Sequence, residues 1–148
     1  MANMVAINKI LNIREKEKKD AQHAYQQSMD DFERIATTLY TLLRKKEVAE
    51  QAYEDSLQEA TQINSIKDQL EYIEMLNKQI SNLQQEVQQA RTVMETKQSN
   101  LTSAHVEVKK YEKIIEFRHN KNEKEEKRLE NFMMDEVSIQ QFLSYKNR

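Results

Sequence analysis

The 148-residue sequence contains no glycine, no proline, no cysteine and no tryptophan. Glycine and proline are the residues on which tight turns and positive φ angles depend, and a sheet protein of this length needs several such places. Their absence argues against a compact β or α/β fold. Without cysteine there are no disulfides and no thiolate metal ligands, which fits a reducing compartment. Long apolar runs are missing too. The opening stretch "MANMVAINKILNIREKEKK" is too short in apolar residues for a signal peptide, and no later run is long enough for a bilayer, so a cytoplasmic location is expected. An excess of one charge is also absent. Twenty-three basic and 25 acidic residues, interspersed, give a net charge of -2, which argues against nucleic acid as a partner.

Catalytic signals are equally scarce. There is no glycine-rich phosphate loop and no nucleophile elbow, so no enzymatic activity, cofactor or small-molecule substrate is expected. His23 and His105 fall near each other if the chain folds back, but two imidazoles without cysteine or a placed carboxylate make a poor zinc site. No catalytic, cofactor or metal residues are assigned.

What is present is helix-forming and periodic. Charged residues make up 32% of the chain, and Lys and Glu, which dominate them, both favour helices. From Ile7 and Leu11, positions spaced alternately by four and three run through Tyr25, Phe32, Ile35, Leu39 and Leu42 to Tyr53 and Ala60 without a slip. A second line starts at Ile66 and runs through Ile73, Leu76, Ile80, Leu83 and Val87 to Val108, Tyr111 and Ile115. A 3.5-residue repeat on a helix of 3.6 residues per turn is the mark of a left-handed coiled coil. Arg14 and Lys18 sit within the first line, where their stems can lie along the seam while their charges reach water.

The phase breaks at "TQINS", residues 61–65, which predicts a turn. Ser65 is the expected N-cap of the second helix, with Asp68 three residues on, and Asn64 the residue able to take a left-handed conformation. The expected fold is all-α: one domain, 1–148, formed by an antiparallel two-helix coiled-coil hairpin. Helix 1 covers about 5–60 and helix 2 about 66–144, with the second longer and overhanging. One long helix dimerising in parallel is the alternative. In a hairpin, facing residue numbers sum to about 126, which sets Tyr53 against Ile73 and Ile7 near His119.

This geometry accounts for a lapse in the second line. After Ile115 its members are Arg118, Asn122 and Glu125, and it turns apolar again at Leu129 and Phe132. At 1.5 Å per residue the second helix is about 120 Å long and the first about 80 Å, leaving an overhang on the order of 40 Å. Polar residues suit a solitary helix, supported by Glu123 with Lys127 and Glu125 with Arg128. The renewed apolar group, Leu129, Phe132, Met133, Val137, Ile139, Phe142 and Leu143, has nothing intramolecular to pack on. Each such side chain contributes about 1.5–3 kcal/mol when buried, so the group points to a partner. A second group near the turn, Tyr40 and Leu43 beside the first seam and Tyr72 and Met75 beside the second, reads either as a widened hydrophobic stripe or as a lateral docking patch.

The two-helix register, "LEYIEMLNKQI" after the turn and "ENFMMDEVSIQQF" near the end resemble the FliJ family of flagellar export proteins over nearly the whole chain. That family carries an aromatic, an aliphatic, a leucine and an isoleucine where this chain has Tyr72, Ile73, Leu76 and Ile80. The resemblance implies a non-enzymatic, cytoplasmic adaptor bound peripherally to the inner face of the membrane at the flagellar base. Its implied partners are the export ATPase hexamer, the export-gate membrane protein and export chaperones. It also implies gate contacts near the turn by Leu42, Tyr72 and Leu76, beside Tyr40, Leu43 and Met75. Gln79 stands where the family often has a small residue. The paired-terminus end, with Ile7, Leu11, Leu129, Phe132, Met133, Ile139 and Phe142, is implied to enter the ATPase ring. Two other classes stay open from the residues alone: a self-associating structural coiled coil, and a membrane-surface protein anchored through residues 4–13.

Overall fold

The computed structural model describes residues 2–59 and 61–146. It holds two helices, α1 (Ala2–Gln58) and the longer α2 (Ile63–Lys146), packed antiparallel as expected. Contacts divide the chain into two compact units. One is Lys19–Ser103, which contains the chain reversal; the other joins the residues up to Lys18 with those from Ala104 onward.

Within the first of these units the seam is the one the spacing predicts. Every described α1 member from Ala21 to Ser56 is half-buried or buried, and so is every α2 member from Ile66 to Leu101. Leu76, only 1% exposed, is the most enclosed side chain, flanked by buried Ile73 and Ile80. Ser28 is also buried, and its hydroxyl donates to the Tyr25 carbonyl at 2.6 Å, so a small polar residue sits in the seam with its hydrogen bond satisfied by its own helix.

The reversal itself departs from expectation. The Thr61 amide donates to the Ser56 carbonyl at 3.2 Å, the six-to-one bond that closes many helix ends, here without glycine. The Gln62 carbonyl then accepts from the amides of Ser65 and Ile66 at 3.1 and 3.2 Å. Gln62 therefore occupies the N-cap position, while Asn64 and Ser65 lie inside the first turn of α2. The turn comes about two residues early, because bonds around Ser56 and Gln62 outweigh the better capping preference of serine.

The same bonds bring in a seam residue that apolar spacing passed over. Gln69, three positions after Ile66 and four before Ile73, is half-buried, and its amide donates to the Ser56 hydroxyl at 3.0 Å across the two helices. Its Oε1 is buried without a partner. Ser56→Ala should therefore cost about 1–3 kcal/mol by leaving the Gln69 amide unpaired, whereas Ser56→Ala with Gln69→Leu should recover most of that loss. Urea unfolding followed by circular dichroism reads both. Equal losses in the single and double variants would show that the pair is incidental.

In the second unit, Ile7, Leu11, Arg14 and Lys18 of α1 and Ala104, Tyr111, Ile115 and Arg118 of α2 are half-buried, and Val108 is buried. Arg14 keeps its place in the seam by stacking 6.0 Å from the Tyr111 ring centre and pairing with Glu17 at 2.9 Å. That hydrogen bond and the Glu17 charge hold the guanidinium even more firmly protonated than usual. Its buried Nε has no partner, so Arg14→Leu is expected to raise the unfolding temperature. Beyond Arg118, every described residue of α2 to Lys146 is exposed, about 40 Å of helix. Its local support differs from the expected pairs: Glu123 meets His119 at 3.1 Å, and no ion pair to Lys127 is formed.

Candidate partner-binding surfaces

The exposed end of α2 is the larger surface. Leu129, Phe132, Met133, Ile139 and Phe142 are all uncovered, with Phe132 63% and Ile139 58% exposed. Leu129, Phe132, Ile139 and Leu143 prolong the 4-3 phase that α2 uses against α1 up to Ile115; Glu136 is the one charged member among them. Such a face is shaped to enter another helical packing. Met134, Val137 and Tyr145 are exposed as well, so apolar side chains lie more than one stripe wide. Ile7 and Leu11 contrast with these. Both are half-buried in the seam, so the expected terminus group is a mixture of packed and open residues.

The group near the turn is divided. Tyr72 lines an apolar groove of about 530 Å³ with Val48, Ala49, Ala52 and Gln69, rimmed by Arg44 and Lys45. Tyr40 lines another, of about 590 Å³, with Met29, Phe32, Ala36 and Met94. The α1 residues of the two grooves lie to either side of the seam, with Leu43 one turn along from Tyr40 and Met75 one turn along from Tyr72. Tyr40 and Leu43 thus belong to one flank and Tyr72 and Met75 to the other. Leu42 is half-buried and Leu76 fully packed, so neither offers a full side chain to a partner. Val48 was not anticipated, although it lies at helical spacing from Ala52 and Lys45. Leu57, Ile63 and Leu70, around the reversal, are exposed and were also not anticipated.

Chemistry of other kinds has little support among the described residues. No group of three or more metal-ligating side chains occurs, and both His23 and His105 are exposed. No described helix is long and apolar enough to cross a membrane.

Fold and surface together define a two-helix coiled-coil protein in which, among the described residues, large apolar side chains left exposed outnumber those fully buried. The family model for "Flagellar FliJ protein" matches residues 4–147. The chain is also 34% identical over 143 residues, 97% of each chain, to the flagellar FliJ protein of Bacillus subtilis (strain 168). No solved structure matches the chain. The protein belongs to the FliJ family, non-enzymatic components of flagellar protein export.

Proposed function

We propose that the protein is an adaptor that couples the export ATPase hexamer to the membrane export gate and handles export chaperones. The observation that carries this reading is the apolar face from Leu129 to Leu143, which no described part of the chain covers. A stiff helix with an open heptad face can insert into a ring, favour its assembly and bias the nucleotide state of its subunits through contacts that differ from subunit to subunit. Ile7 and Leu11 support that end by packing in the seam. The Tyr72 groove, with Met75 beside it, is the better gate-contact candidate, since apolar walls and a basic rim fix both an anchor and its orientation. Tyr40 and Leu43 form a separate flank. Leu42 and Leu76 act by holding the seam beneath these surfaces. Peripheral attachment at the inner face of the membrane then follows from gate binding.

Co-purification with the export ATPase tests the reading. The intact chain should retain the hexamer, and a chain ending at Asn120 should lose it while keeping its helical circular dichroism signal. Equal retention by both would contradict a ring-binding role for the open segment.

A further inference from the structure

Each copy carries, on two different helices, a pair of surface lines that match one another. On α1, in the unit that holds the chain reversal, the positions Tyr40, Leu43, Glu47, Glu50 and Glu54 follow one another at three- and four-residue spacing, parallel to the seam. All five are exposed and none is basic. Glu54 forms no ion pair among the described residues, and Glu47 reaches Arg44 only at 4.0 Å; Glu50 meets Lys46 at 3.7 Å. On α2, in the other unit, Ile114, Phe117, Lys121, Lys124 and Arg128 follow the same spacing. Phe117 is 70% exposed, Ile114 is half-buried, and none of the three cations forms an ion pair among the described residues.

Laid side by side in parallel with a constant displacement of 74 positions, from 40 to 114 and from 54 to 128, the lines agree at every place. Tyr40 meets Ile114, Leu43 meets Phe117, and Glu47, Glu50 and Glu54 meet Lys121, Lys124 and Arg128. Moving one heptad in either direction destroys the match. One shift sets Leu43 on Lys124 and Glu54 on Asp135; the other sets Glu47 and Glu50 on Ile114 and Phe117. The groove of Met29, Phe32 and Ala36 beside Tyr40 adds an apolar seat next to the Ile114 position. Within one chain α1 and α2 run antiparallel, so a parallel pairing of these lines belongs to two chains.

We infer that this flank of α1 docks a second copy of the same chain, through the Ile114–Arg128 line of its α2. Apolar contacts at one end and opposite charges at the other fix both the register and the parallel sense of the helices, the device by which coiled coils choose partners. The contact leaves Leu129–Leu143 outside it, so it goes beyond the adaptor role and stands or falls separately from ring binding. The charged part makes the association weaken as salt rises.

A charge exchange tests this on the full-length protein. One variant carries Glu47→Lys, Glu50→Lys and Glu54→Lys; the other carries Lys121→Glu, Lys124→Glu and Arg128→Glu. All six positions are exposed, so helical content should stay at the native level by circular dichroism. At low ionic strength the native chain should show a mass by sedimentation equilibrium that climbs with concentration toward twice 17.7 kDa or beyond. Each variant alone, with like charges on both lines, should remain at the single-chain mass. An equimolar mixture restores opposite charges and should regain the larger mass. A native chain that stays at the single-chain mass overturns the inference. So do variants that associate like the native chain, and a mixture that fails to recover.

Discussion

Leu76→Ala is expected to lower the unfolding free energy by about 2–4 kcal/mol, while Leu129→Ala should change it by no more than about 0.5 kcal/mol. Both substitutions delete the same atoms from the same helix. Leu76 is enclosed between the helices, with Ile73 and Ile80 buried around it, so its loss removes transfer free energy and leaves a cavity that a two-helix seam can only partly close. Leu129 is 58% exposed and gives up little that water does not replace. Urea titration followed by circular dichroism measures both. A Leu129 variant as damaged as the Leu76 variant would mean that the end of α2 is packed in the isolated chain.

The second large effect concerns binding. Phe132→Glu with Ile139→Glu should weaken engagement of the export ATPase by about 100-fold or more and leave the unfolding curve unchanged. Apolar anchors at the centre of an interface commonly account for 2 kcal/mol or more each, and a carboxylate in their place must also be desolvated. The measurement is ATPase activity or ring assembly titrated with each chain. Binding that survives these substitutions but fails after Ile7 or Leu11 is altered would move the ring contact to the packed end of the seam.

The seam is legible because heptad spacing depends on apolar residues that repeat, and the lapse marks the end of cover to within one position: Asn122 and Glu125 are exposed, while Arg118 is still half-buried against α1. Polar members of the seam were harder to read. Gln69 occupies a regular position, yet only the hydroxyl of Ser56 on the opposite helix makes it a seam residue, and that pairing is not written locally. The reversal lies about two residues before the place that capping preference indicates, for a similar reason: Ser65 has the better capping preference, but Gln62 holds the N-cap position because the bond from Thr61 to Ser56 has already ended α1. Near the turn, spacing found Tyr40, Leu43, Tyr72 and Met75 as residues beside a seam. Which side each takes depends on how two helices face, so their division between two grooves appeared only with the packing.

Hydrogen–deuterium exchange on the isolated chain, repeated with the export ATPase added, tests the account most directly. Amides from Leu129 to Leu143 should exchange far faster than those from Ile73 to Val108 in the free protein, and should slow at least about tenfold when the ring is present. Slow exchange of that segment in the free chain, or no change on adding the ATPase while another segment slows, would contradict it.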